Sequence, residues 1–490
     1  MKINIKRFII FIFCLIVGFF NIVCAIENTS QNIETTISKD EMTLEDCIKT
    51  ALENSPTIKK SRFNYEIAKN AVSLAKADYF PTIGAGTGYN YQTSKSDRMS
   101  TNSDAFNAEA SLNQLIWNFG KTNANIRVQK FNRITSLFNF DKTVLDTIFE
   151  VKTNYFAVLA AKANIAVAKA NVAINERNYH RIKNYFEEGI KSKIDLVNAE
   201  VYLTDAKASL INAEKLYKNA VVTLNNSMFL AYNPALNFAN TENFSQYTPQ
   251  LPADIFSEPE KIEVQVSPVD DIDDAFLISK VEKVDIITNY KFQPFPYSLE
   301  ECLEMANKNR PDLKAYNSTL NAIKEQLLYV KREYYPSLTG NVGYGYRDMA
   351  NTNSLSAGVQ LSSSVNIFRQ KHQVDNAKLQ VNIAENEIEL AKQNIYFDVQ
   401  NTYINMTELE KQIPLQAAKV QQTLENLELA DGRYAVGLGD YIELQDAKMN
   451  YNTAQHNFVQ TVFNYNVARA NLEKSIALEQ EITIKIEDKN

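Results

Sequence analysis

Sixty-eight consecutive residues, Lys121 to Glu188, contain neither glycine nor proline. Within them Leu137, Val144, Val151, Val158, Ile165, Val172, Tyr179 and Phe186 recur at every seventh position. That period returns an apolar seam to one side of an α-helix every two turns, the pattern of helices that supercoil left-handedly about their neighbours. At 1.5 Å per residue the run makes a rod of roughly 100 Å. Such a rod cannot fold back into a compact core, so the rest of the chain is read as what it joins.

The 490 residues include only 13 Gly and 12 Pro, which argues for few tight turns. Residues 1–25 have the layout of a secretory signal: Lys2, Lys6 and Arg7, an apolar run from Phe8 to Phe20, then Val23-Cys24-Ala25 with cleavage after Ala25. An uncleaved anchor is the alternative, but the apolar run is short for a spanning helix. Val23 is a poor residue to precede a lipidated Cys24. Loss of the segment takes the formal charge from -7 to -10, and an acidic chain is poorly suited to nucleic-acid phosphates. No later run reads as a transmembrane helix. Cys47 and Cys302 then remain, either as a disulfide or as small buried residues on two equivalent helices.

Those cysteines occupy matching positions in a duplication. Residues 42–91 align with 297–346 at an offset of 255, with Cys47, Pro56, Pro81, Gly88, Tyr89 and Tyr91 among the identities. The later parts align at 248, as in Gly189 with Gly437 and Ala199 with Ala447. The chain divides into a first repeat, 26–229, a second, 297–478, an acidic connection, 230–296, and a tail, 479–490. Ten acids against three lysines between Asp254 and Asp285 mark that connection as irregular. Each repeat opens with a short helix at Thr43–Asp46 or Ser298–Glu301, which have capping-box spacing. A second helix begins at Pro56 or Pro311 and stops before Pro81 or Pro336.

The pattern then turns to strict alternation. Strands are expected at about 82–91, 105–117, 337–346 and 355–367, apolar on one face and Gly, Ser or Asn on the other. Their length suits a tilted strand crossing a bilayer. Tyr89, Tyr91, Trp117, Tyr344 and Tyr346 stand near strand ends, where an aromatic girdle belongs. Gln92–Asp104 and Arg347–Ser354 read as polar surface loops. Helical hairpins follow at about 120–229 and 369–476, with Pro414 predicting a kink in the second. The returning helices carry Leu196, Leu203, Leu210 and Leu444, Tyr451, Phe458 every seven residues, with alanines three positions on.

Four strands cannot close a barrel, and lipid does not tolerate an open sheet edge. Three chains would supply twelve strands and would also cover the exposed helix seams. The expectation is a mixed α and β membrane protein in the form of a tube, a short β-barrel above a long helical cylinder.

The duplicated helix–strand–strand–helix order, the Pro56/Pro311 and Pro81/Pro336 positions, and the turn motifs "YFEEGIKSKIDLVNA" and "RYAVGLGDYIELQDA" resemble the TolC-type outer-membrane efflux and secretion ducts. The resemblance covers residue 42 to about 478. It implies a homotrimer in the outer membrane reaching into the periplasm, with a twelve-stranded barrel and a twelve-helix tunnel. The implied partners are outer-membrane lipid, a periplasmic adaptor and an inner-membrane pump of RND or ABC type. The implied role is that of exit duct for drug efflux or type I protein secretion, and the long 230–296 segment favours the multipurpose branch. Acidic residues that line the closed entrance of the family fall on Glu443 and Asp446, and three-fold rings of them would attract cations. Asp440 and Glu443 also have capping-box spacing, as do Ser192 and Asp195. The family's tyrosine–aspartate tip latch falls on Tyr434 and Asp195, and an arginine latch of some members falls on Gly439. Gly189, Ile190, Val436, Gly437 and Leu438 correspond to the adaptor-docking tips.

No enzyme, metal or cofactor site is expected. His180, His372 and His456 lack ligand spacing and read as solvated helix residues, and there is no phosphate-binding glycine loop or nucleophile elbow. A structural coiled coil or surface filament is the rival reading, but it does not account for the alternating strands.

Overall fold

The computed structural model describes residues 42–96, 99–230, 295–347, 352–364 and 366–478. The signal, the 230–296 connection and the tail expected from sequence lie almost entirely outside these residues.

In the first half, α1 (Leu44–Asn54) and α2 (Pro56–Ala77) precede β1 (Thr82–Ser96) and β2 (Met99–Trp117), followed by α3 (Lys121–Glu187) and α4 (Lys193–Ser227). The second half has the same order: α5 (Leu299–Asn309), α6 (Pro311–Lys331), β3 (Ser337–Arg347), β4 (Thr352–Ser362), α7 (Ile367–Ala435) and α8 (Tyr441–Ser475). Thr43/Asp46 and Ser298/Glu301 form the expected capping boxes, and Pro56 and Pro311 open α2 and α6. Cys47 and Cys302 are free, fully buried thiols.

The strands form one antiparallel sheet in the order β1-β2-β3-β4, so the two halves join through β2 and β3. Register settles which residues share a face. Ile83, Leu112, Val342 and Ala357 make one cross-strand row, and Ala85, Ala110, Tyr344 and Leu355 the next. Between them on the other face run Gly84, Ser111, Gly343 and Ser356. The apolar face is bare: Ile83 is 81% and Leu355 77% exposed. Strand from Phe106 to Trp117, about 11 residues at 3.3 Å and a 45° tilt, spans roughly 25 Å, the height of an outer-membrane apolar band. Aromatics mark both limits, Tyr89 and Phe106 at one, and at the other Trp117 and Phe119, with Phe119 stacked on Tyr335 at 5.3 Å.

Strand ends depart from the sequence reading. β1 and β2 run on through Gln92–Ser96 and Met99–Asp104, expected as loop, and β3 and β4 take Arg347 and Thr352–Ser354. Backbone pairing needs no apolar side chains once a hairpin leaves the band, so alternation ends before the strand does. β4, expected to reach 367, stops at Ser362, because Asn366 accepts the Arg369 N–H at 3.1 Å and starts α7. Helix α7 continues through Pro414.

Among the helices, α4 packs along α3, α3 along α8, and α8 along α7, while α6 fills the angle between α3 and α7. The heptad seam of α3 is buried at Val144, Val151 and Val158, but Ile165, Val172, Tyr179 and Phe186 are only half-buried. Beyond Val158 the buried positions become Val167, Ala168, Asn175, Asn178 and Ile182. A straight helix drifts about 20° per heptad from a seven-residue repeat, and in one chain α3 lacks neighbours all round to enforce it. Contrary to the sequence reading, α3 also contains an 18-residue window of mean hydropathy 1.4, enough by length and composition to cross a membrane. Only 17% of that window is buried within the chain.

Candidate gating site at the helical turns

Both long helices end in the same way. At the end of α3, Gly189 takes φ 77° while its N–H bonds to Phe186 O and the Ile190 N–H reaches back to Tyr185 O at 2.8 Å. At the end of α7, Gly437 takes φ 75°, bonding to Tyr434 O, with the Leu438 N–H on Arg433 O at 2.9 Å. These are Schellman closures, in which a residue without Cβ adopts the left-handed conformation and the last carbonyls find donors. They leave Ile190, Val436 and Leu438 outermost, with Ile190 64% and Leu438 77% exposed. Gly439 has a different constraint. Its N–H bonds to Arg433 O, and a Cβ there would lie 3.0 Å from the Tyr434 backbone nitrogen. A side chain at this position would therefore need the backbone at Arg433 and Tyr434 to give by a few tenths of an ångström.

The return helices begin differently. Ser192 and Asp195 form a full capping box on α4: the Asp195 carboxylate accepts from Ser192 Oγ at 2.8 Å and from its N–H at 3.1 Å. The corresponding box on α8 is absent. Asp440 makes no side-chain cap, and Glu443 instead reaches Arg433 at 3.6 Å. Glu443 and Asp446 share the exposed face of α8 with Ile442 and Met449.

Tyr434 lies 3% exposed beneath the turns. The hydrogen bond expected between it and Asp195 is not formed: Asp195 is committed to its cap, and Tyr434 Oη has no partner among the described residues. What holds the ring is charge against its faces. Lys191 Nζ sits 4.8 Å and the Arg181 guanidinium 5.2 Å from its centroid, and Tyr441 packs beside it at 5.8 Å. Cation–π contacts of this kind contribute about 0.5–2 kcal/mol each. Arg181 is fixed in turn by Asp431 at 2.7 Å and Asn178 at 3.1 Å. Burial pushes the Tyr434 phenol up; Arg181 opposes the shift and Asp195 adds to it.

The family can now be read directly. The sequence profile described as "Outer membrane efflux protein" matches residues 47–228 and again 302–478. The chain belongs to the outer membrane efflux protein family. Over 209 residues it is 26% identical to outer membrane protein TolC of Escherichia coli (strain K12), a match spanning 42% of this chain and 42% of that protein. The fold is that of solved outer-membrane channels. CusC superposes with a TM-score of 0.70 at 14% identity over 88% of this chain and 91% of its own. CmeC of Campylobacter jejuni gives 0.68 at 15% identity over 88% and 85%. As a family member the protein resides in the outer membrane, extends into the periplasm and serves efflux.

Sequence reasoning missed several groups at this site. Lys191 and Arg181 were not singled out, although aromatic Tyr434 within a conspicuous turn motif was a cue to look for a cation. Lys448, 6% exposed, was hidden because it flanks the Leu444–Tyr451 seam, where charges usually stay in water. His456 is half-buried, not solvated: its Nδ1 lies 2.8 Å from Asn164 Oδ1, and burial lowers its pKa. His180 and His372 are exposed as expected.

Proposed function

We propose that three copies of this chain close into one duct, a twelve-stranded barrel continuing into a twelve-helix tunnel, through which an inner-membrane pump and its periplasmic adaptor export substrates. The observation that carries this reading is the sheet. It has an apolar face, a Gly/Ser/Asn face and, among the described residues, two unpaired edges, β1 and β4, a form that lipid tolerates only when other strands close it.

The duplication supports the same closure in the helices. Ser318 and Ala322 of α6 are buried, Ser318 donating to Phe131 O of α3 at 2.9 Å. Their counterparts in α2, 255 residues earlier, are Phe63 and Ile67, and these are 64% and 65% exposed. In a second copy the surface that would answer them is α7, whose Leu379, Ile383 and Leu390 are exposed. The copies therefore join α2 to α7 and β1 to β4. In this assembly Glu443 and Asp446 form two acidic rings at the entrance, Tyr434 and Asp195 belong to the resting tip, and Gly189, Ile190, Val436, Gly437 and Leu438 form the adaptor-docking turns. The cargo, drug-like molecules or a secreted protein, is chosen upstream.

The test is reconstitution in planar bilayers. The expected result is heat-modifiable trimers with a small, cation-preferring conductance that Glu443→Gln with Asp446→Asn renders less selective. Phe63→Asp with Ile67→Glu should leave folded chains that do not trimerise, and charged residues at Ile190 and Leu438 should abolish export while trimers persist. A conducting monomer, or a water-soluble one with the four strands buried, would overturn the reading.

A further inference from the structure

Tyr441, Gln445, Lys448 and Asn452 follow one another along α8 at steps of four, three and four, which places them on a single helix face. Two of the polar atoms they carry, Lys448 Nζ and Asn452 Oδ1, are buried without a hydrogen-bond partner among the described residues. A buried polar atom left without a partner destabilises the closed seam, most of all when it is charged. The groups facing Lys448 make matters worse. From α3 come Arg177 and Arg181, both cations; from α7 comes Asp431, already engaged by Arg181 at 2.7 Å. Tyr434 and Tyr441, the titratable side chains beside them, have phenols pushed up by burial and stay neutral. The counterpart of Lys448 in the first half, Glu200, is exposed.

We infer that Lys448 keeps the α3–α8 seam beside the turns easy to part at neutral pH, and that alkaline medium removes this weakness. The consequence for gating rests on the duct reading; the effect on the seam does not. In the closed seam burial, followed by repulsion from Arg181, pulls the amine down to about 7, with Asp431 opposing. Once the seam parts and Lys448 meets water, its pKa returns to the ordinary lysine value of about 10.4. Between those two values the parted form holds one more proton than the closed form. Each unit of acidification in that window therefore shifts the balance up to about tenfold towards parting. Below about 7 both forms are protonated and the dependence ends, so at neutral pH the weakening is nearly complete. Acidification beyond that does nothing further through this group.

Backbone amide exchange on the full-length protein in detergent tests the inference, comparing residues 441–452 with α5 amides of the same sample to cancel intrinsic rates. The expected result is that relative protection of 441–452 rises on going from pH 7 to pH 9, by up to about tenfold per unit. Lys448→Met should show high protection at both values, with no dependence. Lys448→Gln should also lose the dependence, which separates charge from side-chain size. Protection that ignores pH in the wild-type protein, or a dependence that survives in both variants, overturns the inference. Single-channel conductance measured in parallel assigns the failure: seam protection that moves while conductance stays constant leaves Lys448 as inferred and removes the turns as the gate.

Discussion

The α3–α8 interface has two ends of opposite character. At the end away from the turns it is knit by complementary charge: Lys152 meets Glu473 at 2.8 Å with both side chains largely buried, Arg469 braces the same carboxylate at 3.1 Å, and Lys474 reaches Asp146 at 2.8 Å. Tyr155 on α3 and Phe458, Tyr465 and Leu472 on α8 are all buried. Near the turns the same two helices bring together Asn178, Gln445, Lys448 and Asn452, and Lys448 Nζ and Asn452 Oδ1 are left without a partner among the described residues. Two helices in continuous contact are thus fastened at one end and weakly held at the other. In the duct proposed above, that division would keep the end nearer the sheet in shape while the entrance at the turns changes.

The largest effect should come from the fastened end. Glu473→Ala removes the largely buried carboxylate that Lys152 and Arg469 share and should cost about 3–5 kcal/mol, seen as an early thermal transition in detergent. A loss no greater than that of an exposed pair would erase the contrast between the ends. At the turns, Ser192→Ala should cost about 1 kcal/mol by removing the cap of α4, whereas Asp440→Ala should cost almost nothing, because Asp440 caps nothing. Equal losses would mean that the two turns are built alike. Tyr434→Phe removes a hydroxyl that has no partner, so stability and resting conductance should stay within about 1 kcal/mol of the wild-type protein. A large rise in conductance would instead restore a Tyr434–Asp195 bond. The smallest effect belongs to Arg433→Ala: its pair with Glu443 is exposed at both ends and contributes about 0.5 kcal/mol or less, which added salt should abolish.

Much of the architecture was legible in the residues. Absence of Gly and Pro over 68 positions dictated a helix, and the seven-residue period dictated neighbours for it. Alternation located the four strands, and the glycines at 189 and 437 located both turns. The errors fell where one side chain can satisfy more than one rule. Asp195 could latch Tyr434 or cap α4, and an adjacent Ser192 within its own turn wins over a phenol on another helix. Glu443 could cap α8 or pair with Arg433, and it pairs. Gln92–Ser96 could be loop or strand, since serine and threonine in water obey neither pattern.

Sequence alone determined the elements, their duplication and which face of each strand is apolar, because these follow from periods of 2 and 3.5 that a chain carries wherever it goes. Tertiary structure decided which faces meet. It put Ser318 against α3 while leaving its counterpart Phe63 bare, set Lys191 and Arg181 against the ring of Tyr434, and buried Lys448 between two arginines. Those outcomes depend on the drift of long helices past one another, which moves a residue from seam to surface by a few tens of degrees. No local pattern records that angle.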